Sequence, residues 1–289
     1  MTKRVRKAVL PVAGLGTRVL PGAKTTPKNM LNIFDRPILS YIVDEARAAG
    51  IEHFVFIVGR GQGAIEDYFD ANPELETTLQ TKGKTDILAE VLAELPKPGE
   101  MSFIRQMAPL GLGHAVWCAR DVIGDEPFAV MLPDMLMAAP RAALAQAVDA
   151  YDKVGGNIVV VEPAPEGEAH KYGIVALDGR EGRLNRMTGM VEKPAPGTEP
   201  SNLFISGRYI LQPDIFDRLE RQERGAGGEI QLTDAMARLM ADQPFHALEY
   251  EGVTYDCGDK IGLLRANVAF ALARPDMGEA ARAAILALL

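Results

Sequence analysis

The chain has 289 residues, of which 47% are hydrophobic and 24% charged, a composition typical of a globular protein with a sizeable core. Its formal net charge of -8 argues against nonspecific nucleic-acid binding, so we expect no nucleic-acid partner. No apolar run is long enough to span a membrane, and two cysteines give no disulfide framework. These features favour a cytoplasmic setting with no membrane partner.

Short apolar runs alternate with helical patterns over the first 162 residues, as in βα units built around a mostly parallel sheet. The predicted strands are residues 8–13, 53–58, 102–105, 128–132 and 157–162. The predicted helices are residues 38–49, 64–69, 74–95, 114–122 and 141–154.

After residue 162, short runs separated by Gly and Pro indicate antiparallel strands attached to the same sheet. Strands are predicted at 172–177, 189–192, 203–209 and 245–250, with a helix at 231–241 and a C-terminal helical pair. Because no linker or repeat is evident, we expect one domain over residues 1–260 and a helical tail over 261–289. The apolar character of this tail favours a contact between subunits.

A glycine-rich loop follows the first predicted strand and contains Gly14, Gly16 and Arg18. Residues 1–34 carry seven Lys or Arg and no Asp or Glu. Glycines leave backbone N–H groups open to phosphate oxygens, and Arg18 and Lys28 add permanent positive charge. This basic region in an acidic chain predicts a small polyanionic ligand, although a solvent-exposed turn with scattered cations would give a similar pattern.

A second glycine turn, Gly59 to Ala64, fits the GxGxxG/A pattern after a strand and keeps an NAD-dependent oxidoreductase open as a rival function. A nicotinamide site also needs an acidic residue at the end of a second strand about 20 residues further on. That region reads as a helix here, so we interpret this turn as the start of a helix.

Carboxylates follow two other predicted turns. Asp134 comes directly after the predicted strand 128–132, where a Mg²⁺ ligand or a turn residue is equally expected. Asp256 offers a second metal ligand, while Asp259 is suited to cap the last helix. Nearby Cys257 is interpreted as a packed residue, and His114 as a positioning residue more than a catalytic acid or base.

Glu192 and Lys193 form an acid–base pair beside a turn, which suits a sugar hydroxyl and a phosphate or an ordinary surface ion pair. The chain also carries short motifs in a fixed order. They are GLGTRVLPGAKTTPKNML at 14–31, GLGHAV at 111–116, LPD at 132–134, YGIV at 172–175, VEKP at 191–194, PSN at 200–202, GRY at 207–209, GEIQLTDA at 228–235 and DCGDK at 256–260.

In this order, over about residues 5–270, the motifs resemble the sugar-1-phosphate nucleotidyltransferases, and among them the bacterial UTP–glucose-1-phosphate uridylyltransferases. The resemblance implies an α/β, Rossmann-like, mixed but mostly parallel sheet flanked by helices. It implies Mg²⁺ dependence and a homo-oligomer, either a dimer or a tetramer. The implied reaction converts UTP and α-D-glucose 1-phosphate into UDP-glucose and pyrophosphate.

The resemblance also implies roles for individual residues. The nucleotide is expected to contact Ala13, Gly14, Gly16, Asn29, Gln106 and Gly111. Arg18 is expected to stabilise the triphosphate and the departing pyrophosphate, and Lys28 the reacting phosphates. Asp134 and Asp256 are the expected metal ligands. The sugar phosphate is expected to contact Gly173, Glu192 and Lys193.

Two positions depart from the family pattern. Asn29 stands where the family has Glu, and Leu110 stands where it has Lys. Both changes lie near the expected nucleotide site, so a related transferase that uses dTTP or another sugar phosphate remains an alternative. A sugar-nucleotide sensor without catalysis is the third possibility, and the presence of Arg18, Lys28 and Asp134 argues against it.

Overall fold

The computed structural model describes residues 3–288. Within this range the chain forms thirteen strands: β1 (Lys7–Pro11), β2 (Asn32–Ile33), β3 (Arg36–Pro37), β4 (His53–Val58), β5 (Met101–Arg105), β6 (Phe128–Met131), β7 (Met135–Ala138), β8 (Asn157–Pro163), β9 (Gly173–Leu177), β10 (Leu184–Glu192), β11 (Leu203–Leu211), β12 (Phe245–Glu249) and β13 (Val253–Asp256).

The same residues form eleven α-helices: α1 (Ile38–Ala48), α2 (Gly63–Phe69), α3 (Pro73–Thr81), α4 (Thr85–Ala93), α5 (Leu112–Cys118), α6 (Arg120–Ile123), α7 (Ala143–Val154), α8 (Ile215–Glu220), α9 (Leu232–Leu239), α10 (Lys260–Ala273) and α11 (Gly278–Leu286). Within the described part of the chain, none of them is long and apolar enough to cross a membrane.

Nine strands form one mixed sheet in the order β5-β4-β1-β6-β11-β8-β12-β10-β9. Strands β5, β4, β1 and β6 are parallel neighbours, and β12 is parallel to β8. Only β11 and β10 run against the others in this sheet. The predicted α/β fold, with a mostly parallel sheet and later antiparallel strands, is therefore confirmed.

Alternate residues of β1, an interior strand, explain why helices cover both faces of the sheet. In β1, Ala8 and Leu10 pack into one buried cluster, while Val9 between them packs into another. Residues of α1 and α7 belong to the first cluster, and residues of α5, α8 and α9 to the second. Since both faces are buried, the strands read as continuous apolar runs.

The helix predicted over residues 74–95 is wrong in one respect. The segment forms two helices, α3 and α4, which are separated at Gly83, where φ is 65°. A glycine in this left-handed region ends a helix at little steric cost, which the sequence pattern did not register. The predicted helix 114–122 is likewise divided into α5 and α6.

Helix α8 and two small antiparallel pairs, β2 with β3 and β7 with β13, were not predicted from the sequence. Strand β10 begins at Leu184, earlier than the predicted residue 189. The β7–β13 pair joins two segments that are distant in sequence, with Met135 opposite Asp256. Such short strands have no periodic signal, because their pairing depends on a distant partner.

The predicted C-terminal helical pair is present as α10 and α11. Ala266 and Ala271 are the buried residues of α10, and its next helix, α11, has no buried residue among those described. The boundary at residue 260 coincides with the start of α10, and the division into a domain and a tail stays a prediction.

Candidate active site

Two open cavities lie beside the loops that follow β1, β4, β5 and β6. Adjoining spaces of about 270 and 490 Å³ form what we call the glycine-loop cavity, whose shared lining is Ala13, Gly14, Leu15, Lys28, Gln106 and Pro109. A space of about 600 Å³, called the Glu192 cavity, is lined by residues that include Arg18, Gly173, Glu192, Lys193, Thr233 and Asp256. Asp134 lines both cavities and therefore lies between them.

Four of the predicted site residues meet at this junction. Lys28 Nζ lies 2.5 Å from Asp134 Oδ2, and Arg18 Nη2 lies 3.6 Å from the same oxygen. Arg18 Nη1 donates to Asp256 Oδ2 at 3.0 Å. The two carboxylates therefore flank one guanidinium group, as expected for groups that share a site with phosphates and a metal ion.

The β7–β13 pair explains how Asp134 and Asp256 come together. Asp134 immediately precedes β7, and Asp256 is the last residue of β13, opposite Met135. The backbone N–H of Cys257 also donates to the carbonyl of Asp134 at 2.8 Å. Two carboxylates from distant parts of the chain are thus fixed by backbone hydrogen bonds.

The electrostatics of Asp134 favour its ionised form. Burial by itself raises the pKa of this carboxyl, but the charge and hydrogen bond of Lys28, together with the charge of Arg18, outweigh burial. The pKa therefore lies below its ordinary value. Asp134 is a carboxylate at neutral pH, as a metal ligand must be.

The glycine loop packs tightly on Lys28. Gly16 has a φ of 64°, and a Cβ atom at this position would lie 2.9 Å from Lys28 Cβ. At Gly14 the corresponding nearest distance is 3.6 Å, which is ordinary contact. Gly16 is thus required by backbone conformation and by the packing of the lysine, in addition to any approach of phosphate.

The seven cations of residues 1–34 divide into two groups, which corrects the expectation of a single basic region. Lys3, Arg4, Arg6 and Lys7 pair with Asp125, Glu52 and Glu126, around the amino end of β1. The remaining three are at the cavities: Arg18, Lys24 and Lys28. The two groups lie at opposite ends of β1, because residues 3–7 precede or begin this strand and residues 18–28 follow it.

Gln106 lies on the wall of the glycine-loop cavity, directly after β5. Its Nε2 donates to the carbonyl of Gly111 at 3.2 Å and lies 3.0 Å from Nδ1 of His114. Burial lowers the pKa of His114, so the neutral imidazole that can accept this bond is favoured. Gln106 and Gly111 are therefore close together, and His114 contacts Gln106, in line with the predicted positioning role.

Gly111 and the GEIQLTDA segment form one unit. A Cβ on Gly111 would lie 2.8 Å from both Glu229 Cβ and the Ile230 carbonyl. Backbone hydrogen bonds join Ile230 to Leu110 at 2.7 Å and Gly113 to Ile230 at 2.8 Å. The two motifs, which looked independent in sequence, are neighbours here.

The turn after β4 also lines the glycine-loop cavity, although the sequence predicted it only as the start of a helix. Residues 59–62 line the glycine-loop cavity, and Gln62 Nε2 donates to the Val12 carbonyl at 2.8 Å. A Cβ on Gly59 would lie 3.2 Å from the Ala13 carbonyl. The glycine pattern was the available signal, because it marked a close approach of two backbones.

Asn29 is the exception among the predicted nucleotide-binding residues. It is fully buried within a 3₁₀ turn, and its Nδ2 donates to the Val12 carbonyl at 3.3 Å. Its Oδ1 is buried and has no hydrogen-bond partner among the described residues. Asn29 therefore lies behind the cavity surface in this structure, and its contact with the nucleotide stays a prediction.

The three predicted sugar-phosphate residues are together in the Glu192 cavity. A Cβ on Gly173 would lie 3.0 Å from Glu192 Oε2, so glycine leaves room for this carboxylate. Thr233 Oγ1 donates to the same oxygen at 2.8 Å, and Lys193 Nζ lies 3.8 Å from Oε1. Thr233, from the GEIQLTDA motif, was not singled out in the sequence analysis.

Asp134 and Asp256 suit a hard divalent cation that completes its coordination with phosphate oxygens and water. Within residues 3–288 there is no group of three or more His, Cys, Asp or Glu side chains arranged to hold a metal ion. A cation bound by two carboxylates agrees with that finding.

Burial raises the pKa of Cys257 to about 12, which excludes a thiolate nucleophile at neutral pH and supports its interpretation as a packed residue.

The nucleotidyl transferase family model matches residues 7–271. The chain belongs to this family. It is 49% identical over 270 residues, 93% of this chain and 92% of the relative, to a UTP–glucose-1-phosphate uridylyltransferase of Bacillus subtilis. It is 46% identical over 90% of its length, and 92% of the relative, to the enzyme of the same name from Komagataeibacter xylinus.

Solved structures agree with this membership. A UDP-glucose pyrophosphorylase from Acinetobacter baumannii has a TM-score of 0.92 and 42% identity, covering 99% of this chain and 100% of that one. The UTP-bound form from the same organism has the same values. The resemblance to bacterial UTP–glucose-1-phosphate uridylyltransferases and the nucleotidyltransferase fold are both confirmed. Enzymes of this family generally use a divalent metal.

Proposed function

We propose that this chain transfers the uridylyl group of UTP to α-D-glucose 1-phosphate, giving UDP-glucose and pyrophosphate. The observation that carries the proposal is the position of Asp134, which lines both cavities and contacts Lys28 and Arg18. A two-substrate transfer between phosphates needs a charged junction of this kind. The relatives in the same group, and the UTP-bound structural neighbour, support the choice of substrates.

In this proposal the glycine-loop cavity takes UTP. Backbone groups of Ala13, Gly14 and Gly16 contact the phosphates, while Gln106 and Gly111 contact the uracil. Gln106 already has its Nε2 engaged by Gly111 and His114, which leaves Oε1 to accept from a base N–H. Asn29 supports the loop from behind through Val12.

The Glu192 cavity takes glucose 1-phosphate. The carboxylate of Glu192, held by Thr233, accepts hydrogen bonds from sugar hydroxyls, and Gly173 keeps the space beside it open. Lys193 extends from the same segment with a largely exposed side chain, and its ammonium binds the phosphate. The phosphate then faces the junction at Asp134.

The chemical step is an in-line displacement at the α-phosphorus of UTP. An oxygen of the sugar phosphate forms the new P–O bond while the bond to pyrophosphate breaks. This phosphate is largely ionised at neutral pH, so no general base is required. Lys28 and Arg18 stabilise the reacting and departing phosphates, and most of the catalysis is positioning and charge neutralisation.

Magnesium is the metal that we propose for Asp134 and Asp256. When bound, it would neutralise phosphate charge between the two carboxylates and the substrates. Arg18 and Lys28 form ion pairs with both carboxylates, and these cations would turn to the phosphates when the substrates bind.

An oxidoreductase is disfavoured by the strand that follows the Gly59 turn. That strand, β5, ends at Arg105 and is followed by Gln106, where a nicotinamide site needs a carboxylate. A related transferase using dTTP or another sugar phosphate is the second candidate, because Leu110 departs from the family pattern beside Gly111, which lines the glycine-loop cavity.

The deciding experiment measures pyrophosphate release from UTP, glucose 1-phosphate and Mg²⁺. We expect rapid release, no release without either substrate, and slower release when dTTP replaces UTP. Faster turnover with dTTP or with a different sugar phosphate would support the second candidate. No release with any nucleotide and sugar phosphate would refute a transferase and support a sensor.

We also propose a homo-oligomer, a dimer or a tetramer, that includes the C-terminal helices. Ile261 and Leu264 on α10 and Leu286 on α11 are exposed large apolar side chains. Side chains of this kind on neighbouring helices are typical of a covered surface.

Both cysteines are free thiols, which supports the reducing cytoplasm as the site of the reaction.

A further inference from the structure

Arg208, the central residue of the GRY motif, is a fully buried cation. It is the largest of the fully buried side chains in the described residues. Its Nε lies 3.0 Å from Glu45 Oε1, and its Nη2 lies 2.7 Å from Glu45 Oε2, so the two side chains form a bidentate pair. A buried charge pair carries a large desolvation cost, and its presence calls for a reason beyond packing.

The remaining donors of Arg208 bind the turn that carries Asp134. Nη1 donates to the Leu132 carbonyl at 3.0 Å, and Nη2 donates to the Met135 carbonyl at 2.8 Å. These carbonyls lie on either side of Pro133 and Asp134. The guanidinium group thus joins both ends of a turn whose middle residue is at the junction of the two cavities.

Gly207 fixes the same turn from the backbone of β11. The Leu132 N–H donates to the Gly207 carbonyl at 2.8 Å. Gly207 has a φ of 88°, and a Cβ there would lie 2.9 Å from Leu132 Cβ, so a larger residue would push the turn away. Gly207 and Arg208, the first two residues of GRY, therefore both hold the turn from Leu132 to Met135.

Glu45 connects this arrangement to two helices. It belongs to α1, and its Oε1 also accepts from the Leu144 N–H in α7 at 3.0 Å. Neither Glu45 nor Arg208 is among the residues that line the two cavities. Neither residue is placed to touch a substrate, so any effect on the reaction must pass through the turn.

We propose that Arg208 is a positioning residue that holds the Asp134 carboxylate in place for the metal ion, with Glu45 orienting the guanidinium. Three donor nitrogens bind one carboxylate and the carbonyls of Leu132, Met135 and Gly207 at once. The single nitrogen of lysine cannot make this set of contacts. The inference rests on the proposed function for the role of the metal, and on the structure alone for the contacts.

The test uses two variants and one control. Arg208→Lys keeps the charge and removes the bridging geometry. The double variant Glu45→Leu/Arg208→Met replaces the ion pair with apolar side chains, which often preserves stability. The control is Arg47→Met, in another part of α1. It removes the partly buried ion pair between Arg47 and Glu100, whose nitrogen–oxygen distance is 3.3 Å.

Three quantities are measured for each protein: the thermal midpoint, the affinity for Mn²⁺ by electron paramagnetic resonance with and without UTP, and kcat and KM. In both Arg208 variants we expect Mn²⁺ affinity and kcat to fall about tenfold or more, because the carboxylate is misplaced. The KM for glucose 1-phosphate should change less than about twofold, since the residues that bind the sugar are untouched. The control should lose thermal stability only.

Unchanged Mn²⁺ affinity in Arg208→Lys and in the double variant, with a lower thermal midpoint as in the control, would show that Arg208 is only structural. If Arg208→Lys does not fold, the double variant decides the question by the same criterion. If the wild-type protein binds Mn²⁺ but releases no pyrophosphate, the proposed function fails, and Mn²⁺ affinity without UTP still tests the positioning.

Discussion

The ammonium of Lys28 lies 2.5 Å from the carboxylate of Asp134, although 106 positions separate the two residues in the chain. Lys28 is in the loop region after β1, and Asp134 follows β6, which is the immediate parallel neighbour of β1 in the sheet. Adjacent parallel strands end at one edge, so the residues that follow them are close in space.

Loss of either partner should stop the reaction without unfolding the protein. We expect Lys28→Ala and Asp134→Asn each to lower kcat by roughly 10²–10³, as is usual for a group that stabilises transition-state charge. Steady-state pyrophosphate release measures the loss, and circular dichroism checks the fold. Lys3→Ala is the control, because Lys3 pairs with Asp125 away from the site. If Lys28→Ala or Asp134→Asn kept its turnover within a factor of two of wild type, the substituted residue would have no part in the mechanism.

Selectivity for the base should depend on Gln106 and very little on Asn29. Gln106 lines the glycine-loop cavity, whereas Asn29 is fully buried. Gln106→Ala should raise the KM for UTP about tenfold, because a hydrogen bond to the base is lost. Asn29→Ala should leave the ratio of kcat/KM for UTP to that for dTTP within about twofold. A large change of this ratio in Asn29→Ala would mean that the loop opens to let Asn29 reach the base.

Thr233 should affect one substrate only. Its hydroxyl donates to Glu192 Oε2 at 2.8 Å, so Thr233→Val frees the carboxylate that we assign to the sugar. We expect the KM for glucose 1-phosphate to rise about three- to tenfold, the worth of one hydrogen bond, with an unchanged KM for UTP. Thr233→Ser should restore the KM. Equal increases for both substrates would contradict this role, and Thr81→Val on α3 serves as the control.

The C-terminal helices should determine the number of subunits. Deletion of residues 276–289 removes α11, and the single change Leu286→Lys places a charge on its exposed apolar side chain. We expect either change to lower the molecular mass measured by light scattering, because an apolar contact is lost. The control is Leu92→Lys, at another exposed leucine on α4. An unchanged mass in both tail variants would place the subunit contact elsewhere.

Cys257 should make stability fall at alkaline pH. Burial, followed by the charges of Asp134, Asp256 and Asp259, raises the pKa of this thiol from 9.0 to about 12. Between these values the unfolded chain loses the proton and the folded chain keeps it, so the free energy of unfolding decreases by about 1.4 kcal/mol per pH unit. Below pH 9 the thiol is protonated in both the folded and the unfolded chain, so it does not make the free energy of unfolding depend on pH.

Denaturant unfolding of wild type and Cys257→Ala from pH 8 to pH 10.5 measures this contribution. The stability difference between them should shrink as the pH rises above 9. In Cys118→Ala, iodoacetamide at pH 8 should modify Cys257 only after unfolding. Rapid modification of the folded protein would show that the thiol is neither buried nor protonated.

The local pattern of the sequence was sufficient for most elements of the sheet. The strands at 53–58, 102–105 and 157–162 were predicted within one residue at each end, since continuous apolar runs identify buried parallel strands. The segment 74–95 was predicted as one helix and forms two, because helix periodicity does not reveal that Gly83 adopts a left-handed conformation.

By itself, the sequence determined the fold class, the family and the residue types of the site, because these are set by local periodicity and by motifs in a fixed order. The tertiary structure alone decided how those residues are arranged. It paired β7 with β13 and so brought Asp256 to Asp134, buried Asn29 behind the loop, and placed Arg208 beneath the Asp134 turn. These outcomes depend on hydrogen bonds and charge pairs between distant segments, and such contacts exist only once the chain has packed.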